Sequence, residues 1–136
     1  MILLDTSLVV SYSIETDVNH AKADQVMKGV FGNAYGRALV SNFIFDECVT
    51  VIFAKSKSRS LATKVGESLK SSTEILEVDR AVFEDSWVLF KNQTNTKLSF
   101  TDCTSVAIME KRGIRNIATF DEDFMKIRGV NVIHKG

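Results

Sequence analysis

The chain has 136 residues, 45% apolar and 25% charged, with 17 basic residues balanced by 17 acidic ones. That length suits one domain with a single buried core, expected to span residues 1–136, and the composition is that of a soluble globular protein. No apolar run approaches the ~20 residues of a membrane span, and zero net charge leaves phosphate to be attracted only by local basic patches or bound metal.

The first apolar run, Ile2–Leu4, reads as a buried strand that passes straight into Asp5. It leaves no room for the basic region and cleavage site of a signal peptide, so a cytosolic, membrane-free protein is expected. Asp17–Phe31 reads as a helix with Val18, Ala21, Val26 and Val30 on its apolar side and Asp17 as N-cap. Gly32, Asn33 and Gly36 mark a turn. Ala38–Ser41 reads as a strand and Asn42–Ala54 as a helix. Ser60–Lys70 carries Leu61, Val65 and Leu69 at four-residue spacing, a narrow helical stripe.

Glu74–Val78 reads as a strand, and Asp79 is placed to cap the next helix. There Val82, Phe83, Ser86, Trp87, Leu89 and Phe90 predict a broad inner face. Asn92–Lys97 is a polar loop. Ser99 starts a helix with Asp102 at the capping-box position, and that helix ends near Gly113. Asn116–Phe120 and Val130–His134 read as the last strands, with a short helix suggested at Phe124–Ile127. Strands alternating with helices predict a three-layer α/β/α, Rossmann-like fold around a largely parallel sheet of about five strands.

In such sheets ligands bind beyond the C-terminal strand ends. Asp5 and Asp121 follow strands there, while Glu47 and Asp102 sit early in helices that begin on the same side. Four carboxylates from distant parts of the chain are thus expected in one region. Ordinary structural roles compete for each. Asp5 can form a turn or cap, Asp102 can complete a capping box with Ser99, and Asp121, with Glu122 and Asp123, can face the positive end of a short helix. Glu47 is harder to dismiss, because Phe43, Ile44 and Val51 surround it on its helix face. A buried, unpaired charge there costs several kcal/mol, which a metal or cation partner offsets.

Clustered carboxylates repel one another, and magnesium or manganese relieves that repulsion through oxygen ligands. An acid cluster without cysteine or histidine ligands favours magnesium-type phosphoryl chemistry over zinc hydrolysis. No G-x-G-x-x-G, P-loop or G-x-S-x-G motif is present. His20 and His134 stand alone and read as surface or capping residues, and Cys48 and Cys103 as small buried residues without zinc spacing. The basic residues Lys55, Lys57, Arg59 and Lys64 follow the Glu47 helix. Such a run is most often a solvated face; beside an acid cluster it is also a candidate for holding an RNA backbone.

Ile2-Leu3-Leu4-Asp5-Thr6-Ser7 is similar to the first motif of PIN-domain ribonucleases, and Ser41-Asn42-Phe43-Ile44-Phe45-Asp46-Glu47 resembles the second. Leu98-Ser99-Phe100-Thr101-Asp102-Cys103 looks like the third. Gly113-Ile114 with Ile117-Ala118-Thr119-Phe120-Asp121-Glu122-Asp123-Phe124 looks like the fourth. The resemblance covers nearly the whole chain, and the last two motifs are its most specific part. Ser41-Asn42 departs from the Thr-Pro frequent in relatives, and Cys103 stands where alanine is common.

The resemblance implies RNA phosphodiester cleavage with Mg2+ or Mn2+ held by Asp5, Glu47, Asp102 and Asp121, with Thr6, Thr101 and Asp123 as supporting, water-mediated partners. It further implies an RNA substrate, a VapC-type toxin paired with a small antitoxin whose tail enters the acidic site, and a homodimer. Two alternatives stand beside it. A magnesium-dependent phosphatase usually has a second aspartate two residues after the first, where this chain has Ser7. A non-catalytic PIN scaffold that only binds RNA or protein would be favoured by a missing acid, and none is missing.

Overall fold

The computed structural model describes residues 1–135. Strands β1 (Ile2–Leu4), β2 (Ala38–Ser41), β3 (Glu74–Leu76), β4 (Asn116–Ala118) and β5 (Asn131–Ile133) form one sheet in the order β3-β2-β1-β4-β5. Every neighbouring pair is parallel. β1 is central and completely buried, which is why it is a bare apolar run with no alternation. Helices α1 (Thr6–Ser13) and α2 (His20–Phe31) join β1 to β2, and α3 (Asn42–Ser56) and α4 (Arg59–Ser72) join β2 to β3. Helices α5 (Arg80–Lys91) and α6 (Phe100–Arg112) then carry the chain back across the sheet to β4. Right-handed crossovers put α1–α4 on one face and α5–α6 on the other, giving the three expected layers.

The chain leaves β1 towards β2 and returns on the other side of β1 at β4. The direction of winding therefore switches between β1 and β4, and a crevice opens outside their C-terminal ends. Leu4 pairs with Ala118 in that register, so Asp5 and Thr119 are the next residues out on adjacent strands.

Several local expectations need correction. Helix α1 was not foreseen: Leu8, Val9 and Val10 are all buried, so it has no polar face to mark its period. Helix α2 begins at His20, not Asp17. The Asp17 carboxylate accepts a hydrogen bond from the Asn19 amide at 2.8 Å, a local turn that precedes the helix instead of capping it. Val18 is 94% exposed and Ala21 is exposed; Ala23, Val26, Met27 and Val30 carry the buried face.

On α5 the inner face is narrower than expected. Val82 and Ser86 are buried, whereas Phe83, Trp87 and Phe90 are 42%, 48% and 39% exposed. Strands β3, β4 and β5 are shorter than their apolar runs, because Val78, Phe120 and His134 lie beyond the last ladder pairs. The Asp79 cap is present, its Oδ1 accepting from the Val82 amide at 2.9 Å. Gly113 ends α6 with φ +67°, a left-handed conformation that glycine adopts without steric cost.

Candidate active site

Asp5 is the residue most firmly fixed in the crevice. It is 3% exposed, and its Oδ2 accepts hydrogen bonds from Ser7 Oγ at 2.9 Å and Thr119 Oγ1 at 2.6 Å. It stands at the N-cap position of α1 but makes no side-chain capping bond, so capping does not explain its burial. Thr119 Oγ1 also accepts from the Asp121 amide at 3.0 Å, and Ser7 Oγ accepts from the Phe120 amide at 3.1 Å. Two hydroxyls thus tie the ends of β1 and β4 together and set the direction of the Asp5 carboxylate.

Glu47 arrives from a strand that becomes a helix without a loop. Ser41, the last residue of β2, caps α3 by accepting from the Ile44 amide at 3.0 Å. Asn42 serves a different purpose: its Nδ2 donates to Glu77 and its Oδ1 accepts from the Val78 amide at 2.8 Å, anchoring the helix start to the end of β3. The Ser-Asn pair therefore fixes α3 firmly, and Glu47, six residues beyond the cap, lies about 9 Å along its axis.

Asp102 and Asp121 each make the local capping bonds weighed for them and also line the cavity. Ser99 Oγ accepts from the Asp102 amide, and Asp102 Oδ2 accepts from the Ser99 amide at 3.0 Å, a complete capping box. Asp121 Oδ1 accepts from the Asp123 amide at 3.0 Å at the head of the 3-10 turn Glu122–Lys126. Capping and cavity lining coexist, because a cap occupies one carboxylate oxygen and also holds the side chain in place.

Asp5, Glu47, Asp102 and Asp121 all line one open cavity of about 350 Å³, together with Thr6, Ser7, Ser11, Asp17, Lys55 and Ser99. Its electrostatics are adverse. Burial pushes the Asp5 carboxyl above its usual range; the two hydroxyl bonds oppose that rise and the Glu47 charge adds to it. Asp102 is pushed up to about 6, first by burial and then by the charges of Asp5 and Asp121, against the Ser99 hydrogen bonds. Beneath them, burial holds the Cys48 thiol up at about 12, with Asp5 and Glu47 adding to the rise, so it is an inert packing residue. A larger groove of about 470 Å³ lies between α1, α2 and α4, lined largely by apolar residues such as Tyr12, Met27 and Leu61. Chemistry, not size, singles out the acid cavity.

The remaining predicted residues divide. Thr6 lines the cavity, and its buried hydroxyl makes no more than a weak contact with the Cys48 thiol. Thr101 is not among the lining residues; its carbonyl accepts from Thr104 and Ser105. The Asp123 carboxylate turns away, accepting from the Lys97 amide and pairing with Lys126 at 3.2 Å, which holds the 92–97 loop. Of the basic run, only Lys55 reaches the cavity. Lys57 adopts a left-handed conformation after α3, Arg59 lies over the Phe53 ring, and Lys64 lines the apolar groove. Ser7 and Thr119 were not singled out from sequence. Their signal was a hydroxyl residue just beyond each of two strands, informative only once β1 and β4 are known to be neighbours.

The donors fit a hard divalent cation. They are carboxylate and hydroxyl oxygens only, and at Asp5 and Asp102 the neighbouring acids add to the affinity for positive charge. As placed, the acids surround the cavity; no three His, Cys, Asp or Glu side chains among the described residues are gathered at one point.

Comparison with known proteins gives a consistent result. The PIN domain family matches residues 2–130. The 23S rRNA-specific endonuclease VapC20 of Mycobacterium tuberculosis is 27% identical over 124 residues, covering 91% of this chain and 92% of that protein, in each of two strains. A crystal structure of Mycobacterium tuberculosis VapC20, described as a sarcin-ricin loop cleaving toxin, superposes with a TM-score of 0.81 at 23% identity. It covers 93% of this chain and 94% of that one.

Proposed function

The chain belongs to the PIN-domain family, and on that premise we propose that it is a ribonuclease that hydrolyses RNA phosphodiester bonds with Mg2+ or Mn2+. The observation that carries this reading is the cavity at the β1–β4 switch point, lined by carboxylates from four separate elements. A phosphatase of another α/β fold does not survive the family match. A purely binding scaffold leaves the gathering of four acids without a purpose, since burial and neighbouring charge make at least Asp5 and Asp102 costly in the metal-free protein.

Asp5, Glu47, Asp102 and Asp121 are the residues that would hold the ion, with Thr6 nearby. When bound, the ion supplies Lewis-acid polarisation of the phosphoryl group and neutralisation of the charge around it. The protein's own contribution is placement. Ser7 and Thr119 hold Asp5 in one orientation, and the capping box does the same for Asp102. Water attacks phosphorus in line with the departing 3′-oxygen, leaving a 5′-phosphate and a 3′-hydroxyl. Lys55, at the cavity wall, meets the RNA backbone; Lys57, Arg59 and Lys64 contribute at most a diffuse field.

The toxin role, with a small protein antitoxin placing a basic tail in the acid cavity, is part of the same proposal. It is supported by the relatives' description and by the charge of the cavity. So are a cytosolic location, consistent with the lack of any described helix long and apolar enough to cross a membrane, and a homodimer. The exposed α5 surface formed by Phe83, Trp87, Val88 and Phe90, with Trp87 and Phe90 stacked at 5.9 Å, has the aromatic character of a subunit interface. The direct test is cleavage of structured RNA in Mn2+ or Mg2+ by this protein and by Asp102→Asn.

A further inference from the structure

A second, smaller cavity of about 190 Å³ lies against the acid cavity, and Asp121 lines both. Two walls continue from one into the other. Thr119 lines the second cavity while its hydroxyl donates to Asp5 in the first. The turn after α1 contributes Asp17 to the first and Asn19 to the second, and the Asn19 amide bonds the Asp17 carboxylate at 2.8 Å. The two cavities are therefore neighbouring stretches of one trough.

The carboxylates thin out along that trough. The acid cavity holds five carboxylate residues and Lys55. The second stretch shares Asp121 and adds one further carboxylate, Glu122, beside Lys22, His134 and Asn19. Lys22 sits in the first turn of α2, where the helix dipole also favours an anion. Neither Lys22 nor His134 is engaged in an ion pair among the described residues. The Phe120 ring, half-buried, and Val132 supply an apolar surface beside these polar groups.

From this juxtaposition we infer that the cavity beside Asp121 is a nucleotide subsite, which takes the RNA residue next to the bond that is cut. Lys22 and His134 hold its phosphate and Phe120 packs against its base. It rests on reading the acid cavity as the place of RNA cleavage. A polyanion threading the trough meets a lysine in each stretch, Lys55 in the acid cavity and Lys22 in the next, with the His134 ring beside Lys22. An aromatic side chain at the cavity wall accepts a base of any sequence, whereas a cation on the RNA backbone adds affinity that falls with salt. Lys22 and His134 are thus positioning residues: they fix which phosphate lies over the acids and do not touch the reacting atoms.

The test is a binding measurement on the non-cleaving Asp102→Asn protein, using a fluorescein-labelled single-stranded RNA octamer of mixed sequence and a salt series. Adding Lys22→Ala and His134→Ala together should weaken binding about tenfold and flatten the salt dependence by about one contact, that of Lys22. Lys28→Ala, on the same helix but outside the cavity and paired with Asp24, should leave it unchanged. In the cleaving protein the double substitution should raise KM more than it lowers kcat and shift the position of cutting in an end-labelled RNA. Binding and cutting positions equal to those of the parent would overturn the subsite, as would failure of the Asp102→Asn protein to bind the octamer at low salt. If the parent cuts no RNA and yet binding still depends on Lys22 and His134, the cleavage reading fails and the subsite stands.

Discussion

The starts of α5 and α6 follow the same local rule and end in opposite electrostatic states. Each has an acid in a capping arrangement: Asp79 accepts from the Val82 amide, and Asp102 completes the box with Ser99. At Asp79 the Val82 hydrogen bond, reinforced by Lys111 at 3.2 Å, holds the carboxyl below its usual range. At Asp102 burial and the charges of Asp5 and Asp121 push it up to about 6, and no lysine compensates. A cap matched by a cation is sufficiently explained by helix stability. A cap crowded by other acids opposes stability at neutral pH, and such conflict between local comfort and placement is characteristic of working sites.

The largest expected difference between the two is in activity. Asp102→Asn keeps the shape and removes the charge; together with Asp5→Asn it should slow RNA cleavage by on the order of 100-fold or more, mainly in the bound-state step. Asp79→Ala should leave single-turnover cleavage unchanged. Equal losses at both positions would erase the distinction.

Next comes metal. An ion that binds only the folded state adds stability by mass action, so Mn2+ should raise the melting temperature of the native chain by several degrees. The rise should shrink greatly in Asp5→Asn and persist in Asp79→Ala. An identical rise in Asp5→Asn would mean that the ion binds elsewhere.

The pH dependence without metal should have opposite signs at the two sites. A carboxyl raised from 3.8 to about 6 contributes stability below pH ~3.8 that is lost as pH rises through about 6. At pH 8, Asp102→Asn should therefore stabilise the metal-free protein, by on the order of 1 kcal/mol after solvent screening of this partly exposed group is discounted; at pH 4 the gain should vanish. A lowered carboxyl, like Asp79, contributes above its unfolded value and loses that contribution as pH falls through its folded one. Asp79→Ala should thus lower the melting temperature by a few degrees at pH 7 and by less at acid pH. Thermal melts across pH 3–8 in chelator check both; destabilisation by Asp102→Asn at pH 8 would contradict the repulsion that sets it apart.

Both helix starts were legible in the sequence, because caps are local: Asp79 and the Ser99–Asp102 box needed only a three-residue spacing. β2 was legible for the same reason, bounded as it is by Arg37 and the Ser41 cap. What the sequence concealed was non-local or unpatterned. Helix α1 is buried on most sides and has no period to detect. Asp17 resembled a cap but forms a turn two residues long. The aromatic residues of α5 were expected to face inward, yet they are exposed, with Phe83 and Phe90 packed edge-on against Phe100 and Trp87 stacked on Phe90. Ser7 and Thr119 acquire meaning only from the pairing of β1 with β4, which are more than a hundred residues apart. The four acids themselves were visible as residues following strands or opening helices, but their gathering around one cavity, and the raised proton affinity of Asp5 and Asp102, belong to the tertiary fold.

The most direct measurement is the chemistry of the cut end. RNA incubated with the protein in Mn2+ should be cleaved to fragments carrying a 5′-phosphate, and neither chelator-treated protein nor Asp102→Asn should produce them at a comparable rate. Fragments ending in a 2′,3′-cyclic phosphate, or undiminished cleavage by Asp102→Asn in chelator, would show that the RNA's own hydroxyl or another site does the work, and would contradict the assignment of Asp5, Glu47, Asp102 and Asp121.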